Sequence, residues 1–357
     1  MSTKVSKGVD LKNSELSELL SRASEDEADH RRRALRRAGR AAMLWPEEAA
    51  DLAAAGRPLR ELPSVGPWVE RRILDWLEST PEVPEPPAER SGFLTMAEAQ
   101  AALDADPRWR GLVRGDLQVH TTHSDGHHPL EEMVEAVRQR GYDYVGITDH
   151  SVGLPIANGM SEARLAAQGR EIDALNERLA DHEGFRVLRS IEMNLSPEGE
   201  GDMDPAALAR LDLVLGAFHS KLRLNEDQTE RYLAAVRNPD IHVLAHPTTR
   251  MFGRRKGLTA NWGRVFEEAT RLDVAVEIDA TLHRQDLHAG LLEIAREAGT
   301  RISIGTDSHY LSELEAMDLG LGAAALARID PDRVLNVMPA EELVAWASER
   351  RRLAATE

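Results

Sequence analysis

The chain has 357 residues, 42% hydrophobic and 29% charged, with 44 basic and 61 acidic side chains giving a formal net charge of −17. That composition leaves room for about two domains with a sizeable core, and it excludes disorder and a disulfide-stapled miniature. The lack of cysteine excludes disulfides, a thiol nucleophile and cysteine-ligated zinc, and the acidic balance excludes polyanion binding by bulk charge.

Residues 1–10 are polar, without an apolar signal core, and no apolar run approaches the roughly 18 residues of a membrane span. The expectation is a cytoplasmic protein with no membrane partner. Residues 14–22, 30–44 and 46–55 carry apolar or alanine spacing suited to helices. The second of these gathers Arg31, Arg32, Arg33, Arg36, Arg37 and Arg40. Residues 59–78, LRELPSVGPWVERRILDWLE, predict a helix, a tight LPSVG turn and a second helix starting near Pro67, since proline suits a first helical position. Residues 79–91, STPEVPEPPAERS, hold four prolines and read as a linker. The expected organisation is a helical domain over 1–79, a proline-rich linker over 80–91 and a second domain over 92–357. Residues 1–91 hold 15 basic and 17 acidic side chains, a net of −2, so −15 falls on 92–357.

A helix is predicted at 95–105, and after residue 112 short apolar runs alternate with helical stretches such as 130–140 and 161–180. The runs are 116–119, 144–148, 187–191, 213–217, 242–245, 274–278 and 302–306. Alternation of strand and helix predicts a parallel α/β architecture. Seven such units suit a barrel slightly smaller than the eightfold one. The residues that follow the runs carry the chemistry. Run one leads to His120 and Asp125, run two ends at Asp149 and His150, run three at Glu192, run four at His219, run five at His246, and run seven at Asp307 and His309. In a parallel barrel the C-terminal strand ends share one face. Converging acids there need compensation. Imidazole and carboxylate together suit zinc, manganese or iron, and so many donors imply two or three ions.

The segments GDLQVHTTHSDG (115–126), GITDHS (146–151), IEMN (191–194), AFHS (217–220), LAHPT (244–248) and GTDSHY (305–310) resemble the PHP family, the polymerase and histidinol phosphatase domain. AHPTTRMFGRRKGL (245–258) and VEIDATLHRQDL (276–287) are most similar to the branch at the C-terminus of bacterial DNA polymerase X. The resemblance implies a distorted (β/α)7 barrel with a metal cluster at its mouth. It implies one metal on His120, Glu192 and Asp307, a second on Glu192, His219 and His246, and a third on Asp125, His150 and His309. Gln118 stands where many members have histidine, and its amide is a weaker ligand. The implied chemistry is hydrolysis of a phosphoester, with His120, Glu192, His219, His246, Asp307 and His309 in the catalytic cluster. Arg250, Arg254 and Arg255 follow the fifth run and are candidates to clamp phosphate, because guanidinium is a bidentate donor. His123, His127, His128, His283 and His288 are open to lining the mouth, while His30, His182 and His242 read as structural or surface residues.

Residues 59–78 resemble a helix-hairpin-helix, with Ser64 in place of the usual glycine, and 14–79 is similar to the small helical N-terminal domain of family X polymerases. That resemblance implies contact with DNA phosphates through backbone N–H groups. Arg72 occupies the position of the lyase lysine, and arginine cannot serve as an amine nucleophile, so no lyase activity is expected by that route. The interval from 79 to 115 has no room for a polymerase core. The functional expectation is a metal-dependent phosphoesterase on DNA ends, as 3′-5′ exonuclease, 3′-phosphatase or abasic-site nuclease in repair. The alternatives are a phosphatase for a small phosphate monoester of histidinol phosphate or nucleotide type, and a DNA-binding scaffold with a vestigial metal site.

Overall fold

In the computed structural model, residues 11–180 and 184–354 are described; His182 lies outside them. Packing divides the chain into residues 1–102 and 103–357.

The first unit is helical: α1 (Asn13–Ala23), α2 (Asp29–Ala42), α3 (Ala49–Ala54), α4 (Pro67–Ser79) and the start of α5 (Met96–Ala105). α1 buries Leu16, Leu19, Leu20 and Ala23, and α2 buries Leu35, Ala38, Gly39 and Ala42. Both sets follow the three-four spacing of an amphipathic helix. The arginines of α2 occupy its outer face. Gly39 permits close crossing: a Cβ there would sit 3.2 Å from the Ser17 carbonyl oxygen, and Ser17 Oγ donates to the Gly39 carbonyl at 2.7 Å. The segment before the LPSVG turn is a single 3-10 turn over Leu59–Glu61 rather than a helix. Pro58 removes one donor at its start, and Leu62, held in extended backbone before Pro63, ends it. Ser64 adopts φ +65, the left-handed region where glycine is favoured. Gly66 precedes α4, whose first residue is Pro67. The proline-rich segment lies along this unit: Val83 packs on its core, and Arg90 Nε donates to Glu18 Oε2 at 2.8 Å.

The second unit is a nearly closed barrel of seven parallel strands in sequence order: β1 (Gly115–Val119), β2 (Tyr144–Ile147), β3 (Arg186–Asn194), β4 (Leu213–Ala217), β5 (Val243–Leu244), β6 (Ala275–Asp279) and β7 (Ile302–Gly305). The helices are α6 (Trp109–Leu112), α7 (Leu130–Gln139), α8 (Glu162–Leu179), α9 (Pro205–Leu208), α10 (Thr229–Val236), α11 (Trp262–Arg271), α12 (Ala289–Ala298), α13 (Met317–Leu326) and α14 (Ala340–Ala354). β1 and β7 meet just beyond their ends, where His120 N donates to the Ser308 carbonyl at 2.9 Å and Val119 bridges Ser308. Asn336 accepts from Ile304 N and donates to the carbonyls of Gly115 and Ile304, each at 2.8 Å, stitching the same seam. Leu213, Val243 and Ala275, each at the start of a strand, pack with Leu335, Leu343 and Ala347. The C-terminal segment therefore plugs the N-terminal end of the barrel and leaves the opposite mouth open. No helix among the described residues is long and apolar enough to cross a membrane.

Candidate metal centre

The mouth is built from strand ends. β5 stops after two residues because the backbone turns at once, His246 taking φ +27; Asp307, just past β7, has φ +49. Such backbone in non-glycine residues costs free energy and clusters at functional sites. Here it directs both side chains inward. Asp149 organises the loop after β1: its carboxylate accepts from Thr121 N at 2.8 Å, Thr121 Oγ1 at 2.7 Å, Ser124 N at 3.1 Å and Gln168 Nε2 at 2.5 Å.

The buried Glu192 carboxylate is the hub. Its Oε1 lies 2.8 Å from His246 Nε2 and 3.1 Å from His219 Nε2, and its Oε2 lies 3.3 Å from His150 Nδ1 and 3.4 Å from His120 Nε2. His120 Nε2 is also 3.0 Å from Asp307 Oδ1. Asp125 Oδ1 is 3.2 Å from His309 Nε2 and 3.6 Å from His150 Nε2. The His120 ring stacks on His309 with centroids 4.2 Å apart.

Three overlapping donor groups result: His120, Asp125, His150 and His309; His150, Glu192 and His219; and His120, Glu192 and Asp307. The structure thus brings together all eight histidine, aspartate and glutamate positions expected as metal ligands. It divides them differently from the resemblance, with His150 joining Glu192 and His219, and His246 meeting Glu192 alone.

The residues fit divalent cations. His120 Nε2, His150 Nδ1, His219 Nε2 and Glu192 Oε2 are buried and have no aligned hydrogen-bond partner despite these short separations. Their lone pairs converge on shared space rather than on each other, and unsatisfied buried polar atoms are otherwise costly. Outer contacts engage Nδ1 and turn Nε2 toward the cluster: His219 Nδ1 contacts Asn194 Oδ1 at 3.2 Å, and His309 Nδ1 contacts the Asp307 carbonyl at 2.8 Å. Such partners orient metal-binding imidazoles.

Burial disfavours charge on His120, yet Asp307 and Glu192 hold its pKa well above the usual value. Burial also opposes ionisation of Glu192, and the surrounding histidines, His150 first, pull it well below the carboxylate range. Burial pushes His150 down to about 4.

Gln118 is fully buried beside the cluster with neither amide atom partnered. Its side chain and Glu277 Oε1 crowd the space over Gly305, where a Cβ would approach them to 2.5 and 2.8 Å. Of the three arginines, Arg250 is buried near Asp286, with its pKa lowered to about 10 chiefly by burial. Arg254 is exposed and Arg255 half-buried. His123 and His128 pair with Glu171 and Glu132. His127 stacks on Tyr310.

Sequence reasoning located the sixth strand but missed its carboxylates and the arginine that follows them. Glu277 and Asp279 are fully buried at its C-terminal half. Arg284 Nε lies 3.3 Å from Asp279 Oδ2 and 3.2 Å from Asp307 Oδ2. Two carboxylates two residues apart in an otherwise apolar run share one face of a strand, and that was the available signal.

Residues 116–251 match the PHP domain family. Over 237 residues the chain is 38% identical to "DNA polymerase/3'-5' exonuclease PolX" of Bacillus subtilis (strain 168); the match spans 66% of this chain and 41% of that protein. The chain therefore covers less than half of that relative. "Probable phosphatase YcdX" of Escherichia fergusonii is 26% identical over 241 residues, 64% of this chain and 91% of that protein. A crystal structure of histidinol phosphate phosphatase from Lactococcus lactis, complexed with zinc, L-histidinol and phosphate, covers 68% of this chain and 93% of its own at 15% identity and a TM-score of 0.40.

Proposed function

We propose, from the PHP domain that residues 116–251 carry, that the barrel is a metal-dependent phosphoesterase acting on DNA ends in repair, as 3′-5′ exonuclease, 3′-phosphatase or abasic-site nuclease. The observation that carries the reading is the convergence of unpartnered imidazole and carboxylate donors around Glu192. Two or three cations of zinc, manganese or iron class fit that donor set. Glu192 would be shared between two positions; His120 and Asp307 would complete one, His219 with His246 or His150 a second, and Asp125, His150 and His309 would hold a third. Gln118 reaches the first position only through an amide oxygen.

Bound cations supply Lewis acidity, lowering the pKa of water to about 7 and neutralising phosphate oxygens. The chain's own residues do the rest. Asn194 and the Asp307 carbonyl fix the His219 and His309 rings. Arg284 holds the second oxygen of Asp307 and keeps the first turned to the cluster. Arg255, and Arg254 outside it, bind phosphate; Arg250, buried near Asp286, shapes the loop that carries them.

The name of the Bacillus subtilis relative includes a 3′-5′ exonuclease, which supports a DNA substrate. The helical unit supports it too: α2 presents Arg32, Arg33, Arg36, Arg37 and Arg40 to solvent, and Gly66 precedes Pro67 at the start of α4. Arg72 on α4 lies over Trp76 and offers no amine nucleophile, so this reading includes no lyase step.

A second reading, a phosphatase for small monoesters, is favoured by one observation: the match covers 91% of a relative named a probable phosphatase. The test is hydrolysis, with added manganese, of a 3′-recessed duplex beside histidinol phosphate. Cleavage of DNA alone supports the first reading. Turnover of the monoester alone rejects it.

A further inference from the structure

Three successive loops at the mouth, those after β4, β5 and β6, carry a run of cations. The loop after β4 holds Lys221 and Arg223, the loop after β5 holds Arg254, Arg255 and Lys256, and the loop after β6 holds Arg284. The barrel unit contains two lysines in all, and both are here. On and between the outer helices, arginines such as Arg138, Arg178, Arg237 and Arg301 pair with carboxylates. Among the described residues, Lys221, Arg223, Arg254, Arg255 and Lys256 have no carboxylate partner, in a segment that bears most of the −17 charge.

The loops are held in place. Arg231 Nη2 donates to the Ser220 carbonyl at 2.8 Å. Residues 251–255 close a tight turn, with Met251 N and Arg255 N exchanging bonds with the opposite carbonyls at 2.8 and 2.9 Å. Phe252 N donates to the His283 carbonyl at 2.8 Å, tying the loop after β5 to the loop after β6. Arg255 is anchored by Nε on the Thr249 carbonyl at 2.5 Å. Its charge is disfavoured first by burial and then by Arg284 and Arg223 beside it. Arg284 in turn touches Asp307, so the inner end of the run adjoins the metal centre. Glu226, Asp227 and Asp286 lie in the same loops, but none forms an ion pair with those five cations, and like charges held together in this way form a binding surface for a ligand with several negative charges.

We propose that the loops after β4, β5 and β6 form a track for the non-scissile phosphates of a nucleic-acid strand whose terminal phosphoester lies at the metal centre. The track rests on the phosphoesterase reading for its inner end, and it sets the substrate class: a strand with several phosphates gains contacts that a monoester cannot make. Each cation on a phosphate releases counterions and adds to the salt dependence of binding.

Two measurements on the full chain test the track. In the first, metal is chelated, and binding of a labelled oligothymidylate of about eight nucleotides is followed as salt is raised. The variant Arg223→Gln with Lys256→Gln should flatten the slope of log affinity against log salt by about 1.4, at about 0.7 for each single-strand phosphate that is no longer neutralised. Removing two charges from the outer helices instead, Arg138→Gln with Arg178→Gln, should leave the slope unchanged. In the second, kcat/KM with manganese is measured from dinucleotide to pentanucleotide. It should rise with each added phosphate in the wild type and rise less in the Arg223/Lys256 variant. An unchanged slope in that variant, or a flat length series in the wild type, overturns the track. No hydrolysis at any length, with the slope still altered, overturns the phosphoesterase reading and supports the track.

Discussion

Arg284 links Asp279 to Asp307, and all three groups are buried or nearly so. Removing one member of such a set leaves uncompensated buried charge, at a cost of about 3–5 kcal/mol. A bound cation offsets the charge on Asp307. Arg284→Gln should therefore destabilise the metal-free protein by an amount of that order and the manganese-loaded protein by clearly less, as read by urea unfolding with and without chelator. Equal losses in both states would contradict the arrangement. His242 gives a pH signature far from the mouth. Its Nδ1 accepts from Val214 N at 3.0 Å and its Nε2 donates to the Ala347 carbonyl at 3.1 Å. Burial, reinforced by Arg350 and Arg351, holds its pKa well below the usual 6.5. The unfolded chain therefore binds a proton that the folded chain does not. Stability from this site is fully present above about pH 6.5 and falls by about 1.4 kcal/mol for each pH unit below it. Unfolding free energies at pH 7, 6 and 5 should show that slope in the wild type, with one proton less of dependence in His242→Gln. Residues such as His219 and Asp307 were legible because a polar group follows an apolar run. Glu277, Asp279 and Arg284 were not, because the sixth run reads only as an apolar strand and the contact of Arg284 with Asp307 is tertiary.

At the level of elements, the periodicity located all seven strands and most helices. What it could not locate were ends set by tertiary contacts. β3 runs on to Asn194, so Glu192 sits within the strand, where it pairs with Leu215 of β4. β5 is shorter than its apolar run because the chain turns to present His246. The β1–β7 seam was invisible for a similar reason: Asn336 lies more than 200 residues from Gly115, whose carbonyl it binds, and nothing local marks it. Asn336→Leu keeps the volume but removes three hydrogen bonds and strands the partner groups. At about 1–3 kcal/mol for each buried group left unsatisfied, the loss should be about 3 kcal/mol or more in chemical denaturation. A loss under about 1 kcal/mol would mean that the seam is held by other contacts.

The molecule as a whole joins a nearly closed barrel to a helical unit, and charge is distributed unevenly over both. The barrel's acidic excess coexists with a mouth where imidazoles, carboxylates and unpaired cations occupy adjacent sectors. The family resemblance and the eight donor positions were legible because each motif is local. The grouping of those donors was not, because it depends on how strands distant in sequence align around Glu192. The most direct measurement is stepwise return of manganese to metal-stripped protein, with hydrolysis of an activated phosphodiester followed in wild type, His219→Ala and Asp307→Asn. The account predicts that wild-type activity rises with added metal to saturation, and that both variants fall more than about 100-fold below it. Activity that persists without metal, or that matches wild type in both variants, would contradict it.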